Sequence, residues 1–339
     1  MAKRISGPTQ SSSSGFDREL AELGVLAEAL RAEPAPTAAH LAYLRKMLAH
    51  RNNFLVSKAA ALVADHELFA LVPDVVAAYE RFFHDAVKSD PQCWAKNALS
   101  KAMVKLEFQE AAPYIRGLRH HQLEPVWGGQ SDTAGALRGT CAHALVACPG
   151  LSNSELLDLL IESLVDSDVT VRTEAARAIG HVGGAGAGHI LKLRLLVAKE
   201  EPEVMGAIFA GLLAIDPRTA IPLVARSLDD TEEMAAEAAL ALAATHAVAA
   251  LDALLVRRRK PNGPWLASVL DNAIALTRLP EGMRFLLDLI AQDDRTAPSA
   301  LEAISRVNTS AEVREQAQTA VAESGNDRLE SLFQELFFS

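Results

Sequence analysis

Seven side chains that could ligate a transition metal fall between residues 120 and 189: His120, His121, Cys141, His143, Cys148, His181 and His189. Imidazole nitrogen and thiolate sulfur are the donors that zinc and related ions take. The spacing does not assemble them. No Cys-x-x-Cys and no His-Glu-x-x-His occurs, and Cys141 and Cys148 alternate with apolar positions, where a thiol behaves as a small hydrophobe. No metal site and no cofactor is expected on these residues.

Three other groups offer chemistry. The run Gly183-Gly184-Ala185-Gly186-Ala187-Gly188 has the glycine density of a phosphate loop but lacks the Lys-Ser/Thr and the preceding strand which that mechanism needs, so it is read as a turn between helices. The run Arg257-Arg258-Arg259-Lys260 could meet phosphate. It also ends a helical pattern just before Pro261, where cations complement the macrodipole and are solvated, and that reading is preferred. Of the three tryptophans, Trp94 and Trp265 open helical segments and are expected in packing between neighbouring helices. Trp127 lies in the glycine-rich insertion of residues 123–132; exposed, it is a candidate binding anchor, but folding back onto the helical stack is the preferred reading.

The elements that must carry these groups repeat. A small residue, an aliphatic residue and a further apolar residue three positions on recur at Leu62, Met103, Leu145, Ile179, Leu212, Leu242, Leu276 and Ile304, spaced by 41, 42, 34, 33, 30, 34 and 28 residues, with Asp65 and Thr245 breaking the apolar rule at the first and sixth. Each marks the second helix of a pair. First helices with a 3.6-residue stripe are predicted near 37–50, 69–83, 111–120, 154–164, 188–199, 220–228, 248–259 and 282–292. A last pair near 311–323 and 328–338 leaves the register. Helical units at this period predict an all-α chain, an α-solenoid of about eight to nine helical pairs. Residues 1–15 are read as a disordered tail, 16–36 as a capping helix and linker, 37–307 as repeats and 308–339 as capping helices. The second helices are expected to line one concave surface, with the 123–132 insertion at its rim.

Composition agrees. Half of the 339 residues are hydrophobic but only 5% aromatic, which favours close-packed helices over strands. A net charge of −10 argues against general nucleic-acid binding, which needs a basic footprint. Three cysteines, an odd number inside helical patterns, fit a reducing cytoplasmic compartment. No uninterrupted apolar stretch is long enough for a membrane span.

The stretch Asp168-x-x-Val171-Arg172-x-x-Ala175-Ala176-x-Ala178-Ile179-Gly180-x-Val182-Gly183, echoed by Ala238-Ala239-x-Ala241-Leu242-Ala243, resembles the HEAT repeats, and more closely their bacterial branch of phycobilisome-lyase type. The resemblance implies a structural ladder in which Arg172 pairs with Asp166 or Asp168, with Asp132 a partner for Arg138. Repeats with no convergent catalytic set lead to the expectation of a non-catalytic scaffold that binds a protein partner along its concave surface, with Trp127, Arg138, Arg172 and Arg177 as the contact residues. Three alternatives share the fold. Phycobilin lyases resemble it, but the chain offers no catalytic constellation to carry over. Deoxyhypusine hydroxylases resemble it and hold iron on repeated His-Glu pairs, of which this chain has one, His66-Glu67. HEAT-like DNA glycosylases would need a basic cleft, for which Arg116, Arg119, His120 and His121 are a small start.

Overall fold

The computed structural model describes residues 15–32, 35–197, 199–307 and 310–338, so the expected tail falls outside them apart from Gly15. Among the described residues there are twenty α-helices, three short 3-10 turns and one two-stranded sheet. None of the helices is long and apolar enough to cross a membrane. The fold is all-α, and contacts divide it into two units, Met1–Ser152 and Asn153–Ser339.

The first unit contains α1 (Gly15–Ala32), α2 (Ala38–Leu48), α3 (Asn53–Asp65), α4 (Val72–Arg81), α5 (Ala86–Ser89), α6 (Trp94–Lys105), α7 (Ala111–Leu118) and α8 (Gly135–Leu145). Between the last two stands a hairpin, β1 (Leu123–Val126) and β2 (Gly129–Asp132). Helices α2 and α3, α4 and α6, and α7 and α8 form pairs, and the second helices α3, α6 and α8 pack on one another in chain order. That is solenoid stacking. Helix α1 lies against α3 as an extra helix.

The second unit contains α9 (Asn153–Leu164), α10 (Val169–Val182), α11 (Gly184–Val197), α12 (Pro202–Ile215), α13 (Pro217–Val224), α14 (Glu232–Ala243), α15 (Val248–Arg258), α16 (Pro264–Leu276), α17 (Pro280–Ala291), α18 (Ala297–Val307), α19 (Ala311–Ser324) and α20 (Asp327–Phe338). They pair in sequence, and α10, α12, α14, α16, α18 and α20 pack each on the next. The last pair, though out of register in sequence, docks on α17 and α18 as the earlier pairs dock on theirs.

Local chemistry sets the helix ends. The side chains of Thr37, Asn52, Asp168, Asp216, Thr231 and Ser310 accept from otherwise orphaned amides at the starts of α2, α3, α10, α13, α14 and α19. Prolines open α12, α13, α16 and α17, where no amide donor is needed. Leu55, Val56, Ala59, Ala60 and Val63 bury the inner stripe of α3, and each large aliphatic side chain so buried contributes roughly 1.5–3 kcal/mol. Helices α10 and α12 cross at glycine on glycine: a Cβ added at Gly180 would stand 2.8 Å from Gly211 Cα.

Two expectations change. Helix α11 starts at Gly184, four residues before Gly188, because only Gly183 and Gly184 take positive φ and the rest of the glycine-alanine run is helical. The insertion at 123–132 is a strand pair, in a chain whose composition favoured helices over strands. Its strands are too short for alternation to register in sequence, and Pro125 argues against a strand.

Candidate functional site

The hairpin in the first unit is the feature that simple repeats do not require. Leu123 pairs with Asp132 and Val126 with Gly129, leaving Trp127 and Gly128 as a two-residue turn. Gly128 has φ 89°, which suits glycine there. An isolated two-stranded ribbon is marginal in water, so this one needs an anchor, and its base supplies two.

The first anchor is Asp132. Its carboxylate accepts from the backbone N–H of Gln122 at 3.0 Å and of Ala134 at 2.9 Å. It also accepts from His121 Nδ1 at 2.8 Å and from Arg138 Nη1 at 2.7 Å. Burial alone would raise its pKa. The two backbone donors, His121 and Arg138 reverse that and hold the carboxyl well below the usual carboxylate range. A carboxyl depressed in the folded state adds stability that is complete above the unfolded value, about pH 4, and is lost as pH falls below it. Urea unfolding of Asp132→Asn and the parent chain from neutral to about pH 2 is therefore expected to show the parent losing stability more steeply below about pH 4. Equal slopes would contradict this role.

The second anchor is Glu124. It points inward and accepts from Gln92 N at 2.6 Å, Gln122 Nε2 at 2.6 Å and Thr133 Oγ1 at 2.7 Å. Gln122 Nε2 also donates to the Asp90 carbonyl at 2.8 Å. Asp90 in turn caps α6, accepting from Ala95 N and Lys96 N, and pairs with Lys96 Nζ at 3.0 Å; both side chains are wholly buried. Asn53 of α3 donates to the same carboxylate at 2.9 Å. The intervening Gln92 and Cys93 sit at φ 60° and 54°, a left-handed turn that costs non-glycine residues roughly 1–2 kcal/mol each. One buried polar cluster thus ties hairpin, turn and two helices together. No pairing of Asp90 with Lys96 was expected from the sequence. The signal available was Asp90 standing just ahead of α6, where an unpaired carboxylate cap would be expected.

Above this root the tip is bare. Trp127 has 104% of its reference surface exposed, and Val126 beside it is exposed as well. An indole held in water by a rooted turn is not folded back on its own helices. Trp94 and Trp265 are half-exposed, and Trp94 packs edge-on against Phe54 of the preceding pair at 5.6 Å.

The arginines are placed differently. Arg138 is buried and also donates to the His120 carbonyl at 3.1 Å. Arg172 is buried in the second unit. It donates to the backbone carbonyls of Asp166 and Ser167 and to Glu200 at 2.9 Å, and pairs with Glu201, while the Asp168 carboxylate caps α10. Its carboxylate contacts therefore include glutamates from the turn after α11, and both arginines are engaged in holding helices together. Arg177 is exposed and bonds Glu174 one turn back. Of the four contact residues expected from sequence, Trp127 and Arg177 face solvent.

The basic run is likewise structural. Arg257 donates to the Leu228 carbonyl, Lys260 to Asp229, and Arg258 is buried on Asp271 at 2.7 Å with Thr296 beside it. Burial, not solvation, describes Arg258, because α15 ends against α16 and the turn before α18. Sequence reasoning missed Asp271 because nothing local marks a carboxylate 13 residues away as its partner.

The thiols are quiet. Burial pushes Cys141, which lies 3.6 Å from the Tyr79 hydroxyl, up to about 12 and Cys93 up to about 11. Both are neutral at pH 7 and poor ligands. Among the described residues no three His, Cys, Asp or Glu side chains are grouped so as to hold a metal ion.

No family model and no curated protein sequence matches this chain. Among solved structures it is similar to human deoxyhypusine hydroxylase in complex with glycerol, at 15% identity over 78% of this chain and 92% of that one, with a TM-score of 0.30. It is similar also to an engineered protein, at 15% identity over 97% of each chain, with a TM-score of 0.35. At these scores neither transfers a residue or an activity to this chain.

Proposed function

We propose that the protein is a non-catalytic, HEAT-like scaffold that docks a protein partner through the Trp127 hairpin. The single observation that supports this is a fully exposed indole at the tip of a ribbon whose base is fixed by two hydrogen-bonded carboxylates, buried Glu124 and half-buried Asp132. Tryptophan is the residue most enriched among interface anchors, and a rigid mount lowers the ordering cost of binding. The flanking Val126 extends the apolar tip. The closer kinship with the phycobilisome-lyase branch rests on the motif of residues 168–183. A cytoplasmic setting rests on three unpaired cysteines, all buried.

Such a partner is retained by apolar contact and survives high salt. Retention on the immobilised full chain from a lysate of the source cells, compared with Trp127→Ala, tests the reading. The variant is expected to lose the same protein by about 30-fold, a hot-spot effect of about 2 kcal/mol, with unfolding free energy unchanged to within about 0.5 kcal/mol. Equal retention by both chains, or no specifically retained protein, overturns it.

A further inference from the structure

A second surface of the first unit has a different chemistry. Helices α3 and α6 leave a groove of about 500 Å³ between their outer faces, lined by Phe54, Lys58 and Asp65 on one side and Trp94, Asn97 and Lys101 on the other. One end is aromatic: Phe16 and Phe54 meet at 6.1 Å, and Phe54 and Trp94 at 5.6 Å. Lys58 lies one turn further along α3, its ammonium 5.2 Å from the Phe54 ring, and Lys101 two turns along α6. Neither lysine has a carboxylate partner among the described residues, whereas nearby Lys105 is paired with Glu67 at 3.1 Å. Two uncompensated cations facing one groove stand out in a chain of net charge −10. The side-chain oxygen of Asn97 is buried here with no hydrogen-bond partner, and such an orphan calls for a donor.

We infer that this groove binds an acidic peptide segment in extended form, with an aromatic or aliphatic side chain seated on the Phe54–Trp94 end. The groove asks for an anion at two points, an apolar group at one end and an N–H donor on its floor. A peptide supplies all three, the donor being its own backbone amide. From residue 54 to residue 65 a helix advances about 16 Å, the length of about five extended residues. A nucleic-acid strand fits less well. Its phosphates present only acceptors to Asn97, where a peptide amide donates. The surface is separate from the hairpin, and the inference does not depend on the partner proposed for Trp127.

The test uses the full chain and a fluorescein-labelled peptide with one phenylalanine followed by a run of glutamates. Its controls are the same peptide with lysines for glutamates, and labelled oligothymidine. Fluorescence anisotropy is expected to show saturable binding of the acidic peptide that weakens as salt rises, with the lysine peptide at least tenfold weaker. Lys58→Glu and Lys101→Glu, exposed positions that leave folding intact by circular dichroism, are each expected to weaken it about tenfold, and Trp94→Ala likewise. Trp127→Ala is expected to leave it unchanged. Equal binding of the two peptides, indifference to both charge reversals, or tighter binding of oligothymidine would each overturn the assignment, the last in favour of a nucleic-acid groove.

Discussion

Replacing Asp90 by alanine is expected to remove about 3–5 kcal/mol of stability, the range for breaking one side of a buried ion pair. The carboxylate is wholly buried and does three things at once. It caps α6 through two amides, holds Asn53 on α3 and neutralises the Lys96 ammonium, which is itself without solvent exposure. Without it, Lys96 keeps a carbonyl bond to Phe82 and the face of the Phe83 ring, neither of which replaces a counter-charge. The pair Asp90→Asn with Lys96→Met leaves no buried charge and keeps an amide oxygen for the cap, so it is expected to recover most of the loss. Urea unfolding of the parent, the single and the double variant measures both numbers. A single-variant loss below about 1 kcal/mol, the level of an exposed pair, would mean that water reaches Lys96.

Asp271→Ala is expected to cost a similar amount in the second unit, about 3–5 kcal/mol. Asp271 is wholly buried and accepts from Arg258 Nε at 2.7 Å and Ser299 Oγ at 2.8 Å, joining α15, α16 and α18. Here the desolvation is stronger than the compensation: burial raises the Asp271 pKa despite Arg258 and Ser299. The folded state then takes up a proton more readily than the unfolded chain, so this group favours the folded state as pH falls through the raised value, opposite in sign to Asp132. A pair in that condition fixes geometry more than it stabilises. Replacing both partners, as Asp271→Leu with Arg258→Met, is accordingly expected to be neutral or stabilising. Thermal and urea unfolding of the single and double variants separate the two effects. A double variant as unstable as the single would show the ion pair itself to be favourable.

What could be read in the sequence divides along physical lines. The eight second-helix markers from Leu62 to Ile304 all fall within or at the end of an observed second helix, and each predicted first helix is present. Burial on one face leaves a 3.6-residue imprint that needs no tertiary knowledge. Several helix ends were opaque. Glu67, Glu107 and Asp293 end helices in the left-handed conformation, with the following amide bonding back to Val63, Met103 and Leu289. Glycine is the usual mark of that cap, and here it is absent. At the site, the Asp132–Arg138 pair was legible from its short spacing, and the glycine-rich turn marked Trp127, but the full exposure of the indole went against the preferred reading that it folds back. The inward Glu124, the Asp90–Lys96 pair and the Arg258–Asp271 pair were not, since each joins segments that only the fold brings together. The same limit explains Arg138 and Arg172: their type announces a charged contact, but whether that contact faces inward or outward depends on neighbours.

The most direct test of the central claim isolates the hairpin tip. In a chain carrying Trp94→Phe and Trp265→Phe, Trp127 is the sole indole. Its emission is expected to be water-like and freely quenched by iodide in the free protein, with the anisotropy of a rigidly mounted ring, and to shift to the blue with loss of quenching once the retained partner is added. Emission that is already shielded in the free chain, or that is unmoved by the partner, would contradict a docking role for this hairpin.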